Sequence, residues 1–252
     1  MQKLRLRYTK RGRLRFTSHR DVARAFERAL RRAHVPMAYS QGFNPHPKIS
    51  WIGAAPTGVA SEAEYVEIQL VEVAEPADLV AMLDAAMPPG LDVLEAVVAG
   101  SGDALAERVE ASRWLIELPG VSPAELRDAV TRTLAQPIVE VERLTKNGMR
   151  TIDARAAIIT ATVPDTVRDT RHDETHPSDP APSDPPCGIL EVVVRQTTPA
   201  VRPDDVLSAL RVAAALEPPV PAKATRMAQG RLDDSGGLSD PLAPDRAQHP
   251  AG

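Results

Sequence analysis

A chain of 252 residues with 43% apolar residues has room for one or two domains with ordinary cores, and 3% aromatics makes those cores aliphatic. No run approaches the roughly 20 apolar residues that cross a bilayer, and no apolar signal core follows Met1, so a soluble cytoplasmic protein is expected. The single cysteine, Cys187, supplies neither a disulfide within the chain nor the thiols of a zinc site or iron–sulfur cluster, and no cofactor is expected in this chain. The net charge is −4, yet residues 1–50 hold thirteen Lys and Arg against only Asp21 and Glu27, a local +11 that leaves −15 for the rest. Such asymmetry fits a surface for a polyanion, with nucleic acid the first candidate; a solvated set of ordinary surface charges is the alternative.

In chain order, Leu4, Leu6 and Tyr8 alternate with Arg5 and Arg7, the period of a half-buried strand. Lys10-Arg11-Gly12 breaks it, and Leu14 and Phe16 alternate again, giving two short strands or one long bulged one. Ser18 with Asp21 three residues on is a capping signature for a helix over 19–33, whose apolar stripe is Val22, Phe26, Ala29, Leu30 and Ala33. Arg20, Arg24, Arg28 and Arg31 fall on another face of that helix, and Pro36 ends it. An extended stretch over 37–53 is interrupted by Gly42-Phe43-Asn44-Pro45-His46-Pro47. A strand over 64–73, a helix over 76–87 and a strand over 91–98 follow. The order strand–helix–strand–strand–helix–strand is the split βαβ, or ferredoxin-like, pattern.

After Gly100-Ser101-Gly102 the pattern recurs more loosely. A strand over 112–118 precedes a helix over 122–134, and segments 138–144 and 151–163 form a hairpin around Asn147-Gly148. Residues 164–188, rich in Pro, Asp, Ser and Thr, are expected to be a disordered loop. A strand over 189–196, a helix over 203–215 and a strand over 222–229 complete the unit. The architecture predicted is α+β, two tandem ferredoxin-like units with antiparallel sheets: a basic unit over 1–100, a second over 110–230, and a disordered tail over 231–252.

The chemistry-bearing residues cluster in two places. One is Arg13, Arg15, Ser18, His19, Arg20 and Asp21, with Arg24 beyond; the other is Tyr39, Gln41, Asn44, His46 and Lys48. Arginine forks match phosphate oxygens, and a helix N-terminus adds free N–H groups. Gln41 and Asn44 carry paired donor and acceptor groups suited to a base edge. Tyr39, Phe43 and Trp51 suit stacking on unpaired bases, at about 1–3 kcal/mol each; aromatics in so aromatic-poor a chain equally suit the core. With no helix-turn-helix and no zinc finger, single-stranded or structured RNA is favoured over duplex DNA. Gly42 is expected where a side chain would clash, and Asn44-Pro45 starts a turn. The two clusters meet at one edge only if the fold brings them there.

His19 and His46 have three readings. As catalytic residues they would serve as base and acid in metal-independent RNA cleavage, since imidazoles titrate near neutrality. With Asp21 they would make a metal site, and otherwise they order a loop. His172 and His176 lie in the Pro/Asp-rich loop and are weak ligand candidates. No Walker loop, GxGxxG after a strand, HExxH or GxSxG occurs. In the second unit Lys146, Arg150, Asp153 and Arg155 would extend a basic surface, or form an ordinary charged hairpin tip.

Three stretches carry a family resemblance: Gly12 to Asp21, Ala38 to Ser50 with its Asn44-Pro45-His46-Pro47-Lys48 run, and Gly58 to Tyr65. With Ile152-Asp153-Ala154-Arg155 they resemble the bacterial radical-SAM-linked protein family of unknown function, over roughly residues 2–230. The resemblance implies no established activity. Members occur fused behind a radical-SAM domain, or encoded near such proteins or ribonuclease genes, and this chain looks like the stand-alone form. Three functions fit these residues: an RNA-binding accessory module presenting tRNA or rRNA to a modifying enzyme, such as a separate radical-SAM protein; a metal-independent ribonuclease or RNA-modifying enzyme using His19 and His46; and a protein-interaction scaffold for a radical-SAM partner.

Overall fold

A computed structural model describes residues 1–145, 148–164, 186–234 and 236–249. The chain is a mixed α and β protein with a mostly antiparallel sheet, and it divides into two compact units: 1–112 with 225–252, and 113–224. Among the described residues no helix is long and apolar enough to cross a membrane.

The first unit begins with β1 (Gln2–Lys10), whose Leu4, Leu6 and Tyr8 are buried as their alternation requires. A single 3-10 turn, Gly12–Phe16, follows in place of the second expected strand. Apolar residues two apart over five positions fit either conformation, and Gly12 at φ +54° turns the chain out of the strand. Then come α1 (His19–Arg32), β2 (Ile49–Ile52), β3 (Ala60–Leu70), α2 (Pro76–Ala86) and β4 (Val93–Val98). β1 is flanked by β3 and β4, and β2 lies on the far side of β3; all three pairings are antiparallel. One core joins Leu4, Leu6 and Tyr8 to Val66, Ile68 and Leu70 of β3, Val22, Phe26 and Leu30 of α1, and Leu79 and Leu83 of α2.

In the second unit β5 (Ala111–Pro119) leads to α3 (Pro123–Ala135), which is capped by Ser122 accepting from the Glu125 amide at 3.2 Å. β6 (Glu140–Thr145) and β7 (Gly148–Asp153) form a separate two-stranded ribbon. The expected hairpin is therefore shorter than 138–163. Its second arm breaks at a helical turn, α4 (Ala154–Ala157), and β8 (Ile158–Thr162) leaves the ribbon to pair with β9 (Cys187–Arg195). Asp153 makes that break by capping α4 through the Ala156 amide. Within this unit the sheet order is β5, β9, β8, and α3 packs with α5 (Pro203–Ala214). The expected disordered loop lies, apart from its first and last few residues, outside the described residues, and so do His172, His176 and Lys146.

The C-terminal residues overturn the expectation of a tail. From Thr225 on, β10 (Lys223–Leu232) belongs to the first unit, where Thr225 and Arg226 pair in parallel with Ala60 and Ser61 of β3. β11 (Leu238–Ser239) and α6 (Ala243–Gln248) follow, with Leu242 and Asp245 fully buried. Leu242 packs with Ala63, Tyr65, Val97 and Leu105 on the sheet face turned away from α1 and α2. Asp245 accepts from Arg5 at 2.8 and 2.9 Å and from Arg108 at 2.8 and 3.3 Å. An Asp- and Pro-rich segment thus folds because two buried guanidinium groups require its carboxylate.

Candidate nucleic-acid interface

The start of α1 is built by its cap. Ser18 takes the Asp21 amide at 3.3 Å and donates its hydroxyl to the Asp21 carboxylate at 2.7 Å. That hydrogen bond holds the Asp21 carboxyl below its ordinary range, aided by Arg24 and Arg20. With Val22, Ala25, Phe26, Ala29 and Leu30 buried, the 3.6-residue period sends Arg20, Arg24, Arg28 and Arg31 outward, and all four are exposed. Arg24 approaches Asp21 at 3.9 Å. Among the described residues Arg13, Arg20, Arg28 and Arg31 make no ion pair.

Several other cations in the basic segment do not contribute to such a surface. Arg5 is buried between Glu67 and Asp245, Lys3 pairs with Glu67, and Arg11 is clamped by Glu62 and Asp92. Lys10 is buried with its ammonium 3.1 Å from the Pro56 carbonyl, and burial pulls its pKa down. Arg15 donates to the Gly58 carbonyl at 2.8 Å, and its guanidinium sits 5.4 Å from the Phe16 ring. It therefore ties the 3-10 turn to the loop before β3 rather than standing free. The local charge of +11 overstates the field that reaches solvent.

The second cluster is a loop pinned at its neck. Ser40 and His46 bind each other three ways: Ser40 N to His46 O at 2.9 Å, His46 N to Ser40 Oγ at 3.1 Å, and Ser40 Oγ to His46 Nδ1 at 2.9 Å. Tyr39 bridges Pro47, and the Lys48 amide donates to the Ala38 carbonyl. Gly42 has φ +128° and open space where a Cβ would stand, so its reason is backbone conformation and not the clash expected. Gln41, Asn44, His46 and Lys48 are all exposed.

The aromatics divide. Trp51 joins the core, its ring edge-on to Phe26 at 5.2 Å and to Tyr8 at 6.2 Å. Phe16 and Phe43 are 66% and 106% exposed, and Tyr39 is exposed as well. With two Trp, three Tyr and three Phe in the whole chain, placing three rings in water is a costly use of them.

The two clusters reach the same strand from different positions. His19 stacks edge-on to Trp51 at 5.3 Å, whereas Lys48 immediately precedes β2. Trp51 is three residue steps along the strand from Lys48, about 10 Å. Among the described residues no hydrogen bond or ring contact links the clusters, and no three His, Cys, Asp or Glu side chains gather where a metal would sit. A site of His19, Asp21 and His46 is therefore not assembled: Asp21 is taken by Ser18, His46 by Ser40, and His19 by Trp51. In the second unit Asp153 is a cap, and Arg155 donates to the Leu134 and Ile158 carbonyls at 3.2 Å, while Arg150 is exposed. Phe16, which alternates with Leu14 as in a strand, is an exposed ring beside Arg15 that the sequence does not point to.

The chain belongs to a bacterial family: the model of DUF2344, described as uncharacterized proteins conserved in bacteria, matches residues 3–203. No curated protein matches the chain. The matched segment contains α1, the 39–48 loop and the β6–β7 ribbon, and ends before α6.

Proposed function

We propose that this protein is an RNA-binding recognition module that presents a structured RNA, with tRNA or rRNA as the candidates, to a separate modifying enzyme. One observation carries the reading: arginines without carboxylate partners share a unit with three exposed aromatic rings in an aromatic-poor chain. Guanidinium groups bind phosphate regardless of sequence, and exposed rings stack on bases that are out of a duplex. Arg13, Arg20 and Arg24 would hold phosphates; Gln41, Asn44, His46 and Lys48 would line the loop between Tyr39 and Phe43. We also read the first unit as ferredoxin-like. Its strand order β4, β1, β3, β2 with all pairs antiparallel and two helices against one face supports this. A radical-SAM protein as the partner enzyme rests on the family resemblance alone.

The test is crosslinking of the tagged protein to its bound RNA in cells. Recovery of a defined RNA class, lost in an Arg20→Ala, Arg24→Ala double variant, is the expected result. Recovery of protein partners only, unchanged by nuclease, would replace RNA with a protein scaffold role. Arg15 is unsuited to this test because its loss frees the loop at Gly58.

A further inference from the structure

On the sheet face turned away from α1 and α2, two rows of side chains cross β1, β3 and β2. Lys3 stands opposite Gln69, and Glu67 stands between Arg5 and Ser50. The Gln69 amide donates to the Lys48 carbonyl at 3.1 Å, which puts Lys48 beside Gln69. The rows are therefore Lys3–Gln69–Lys48 and Arg5–Glu67–Ser50. Leu4, Ile68 and Ile49 pack toward the helices, so the alternation of each strand sends these six the other way. A pocket of about 240 Å³ opens over Lys3, Gln69, Lys48, Glu67 and Ser50, and His46 of the loop neck also lines it. The two rows differ in how their polar groups are met. In the second, Glu67 takes Arg5 at 3.0 Å and Lys3 diagonally at 3.3 Å, while Arg5 is held by Asp245 as well. In the first, Lys48 has no carboxylate partner among the described residues. The Gln69 side-chain amide donates only to the Met1 thioether at 3.4 Å, a weak acceptor. Among the described residues Glu67 is the one carboxylate lining the pocket, and two cations already share it.

We infer that this pocket is a phosphate subsite for single-stranded RNA, in which one backbone phosphate lies between Lys3 and Lys48 and accepts from the Gln69 side-chain amide; the inference rests on the RNA-binding reading above. The charge argues for an anion, because Lys48 is unmatched and Lys3 has only a share of Glu67. The spacing suits a phosphate. Neighbouring strands lie about 4.8 Å apart, so the two lysines flank Gln69 at about 10 Å from each other, and their flexible stems can converge on an anion above it. The path argues for a single strand. β2 pairs only with β3, and residues 46–50 both close the neck of the 39–48 loop and line the pocket. A strand whose bases stack on Tyr39 or Phe43 thus continues past His46 onto this face, a course that a flexible backbone can follow.

The experiment compares Lys48→Ala and Gln69→Ala variants of the full chain with wild type. The probes are a short single-stranded RNA carrying 4-thiouridine and inorganic phosphate. Both substitutions fall outside the core, and circular dichroism checks that the variants fold. Lys48→Ala is expected to bind the RNA roughly fivefold more weakly, alike for every sequence, with a salt slope reduced by about 1. Gln69→Ala is expected to bind roughly threefold more weakly with the slope unchanged, since it removes a neutral donor. Ultraviolet crosslinks are expected on peptides covering residues 46–50 and 67–69. Wild-type affinity in both variants, alongside weakened binding in Arg20→Ala, Arg24→Ala, would overturn the subsite and leave the RNA reading intact. Amide signals of Lys48 and Gln69 that move with inorganic phosphate but not with RNA would make the pocket a small-anion site and overturn it too. A wild-type chain that binds no RNA removes both readings.

Discussion

At the scale of single residues the proposed RNA interface depends on side chains whose structural duties are separable from their chemistry. Ser18 caps α1 and Arg15 ties a loop, whereas Arg20 and Arg24 are exposed, Arg24 making only a solvent-exposed 3.9 Å approach to Asp21. Ser18→Ala should therefore lower stability by about 1 kcal/mol, read as a reduced Tm, with RNA affinity changed little once the protein is folded. Asp245 is the reverse case, buried among cations far from any proposed ligand. Burial by itself would raise its pKa, but hydrogen bonds from Arg5, the Gly100 amide and Arg108 outweigh that and hold the carboxyl below its ordinary value of 3.8. A carboxyl depressed in the folded state contributes stability that is present above its unfolded pKa and is lost as pH falls through the folded value. Acid should thus release α6, seen as faster amide exchange across 238–248 below about pH 4. Asp245→Ala, which strands Arg108 and leaves Arg5 only Glu67, should cost about 3–5 kcal/mol in denaturant unfolding. If its midpoint matched wild type, the buried cluster would have no part in stability.

At the scale of elements, what was legible in the sequence was what periodicity encodes. β1, α1 and α2 follow from Leu4-Leu6-Tyr8, from Val22-Phe26-Leu30 and from Leu79-Leu83, and each residue is in the core. The 3-10 turn was not legible, because Leu14 and Phe16 two apart do not separate it from a strand. Nor was α6, whose anchor is one carboxylate meeting cations 240 and 137 residues away. Composition alone makes that segment a tail. In the candidate site the helix cap and the arginine face were readable, but which cations stay free depends on Glu62, Glu67 and Asp245, and that is tertiary information. Truncation after Leu232 should uncover Tyr65, Val97 and Leu105 and leave Arg5 and Arg108 without their carboxylate. A lower Tm with increased binding of an apolar dye is expected; an unchanged Tm would mean that α6 only decorates the sheet.

At the scale of the whole molecule, a protein that is acidic overall exposes Arg13, Arg20, Arg28 and Arg31 in its first unit without ion pairs among the described residues. Coulomb attraction over a Debye length of about 8 Å at physiological ionic strength then selects for polyanions and fades with salt. The acidic remainder limits indiscriminate binding to nucleic acid, so affinity should favour RNA with unpaired bases that the exposed rings can stack on. The most direct measurement is the affinity of the wild-type chain for a stem-loop RNA titrated against salt, beside Arg20→Ala, Arg24→Ala. Log affinity is expected to fall linearly with log salt, with a slope reduced by about 2 in the double variant. Binding indifferent to salt and to both substitutions, or no binding at low salt, would rule out RNA as the ligand of this face.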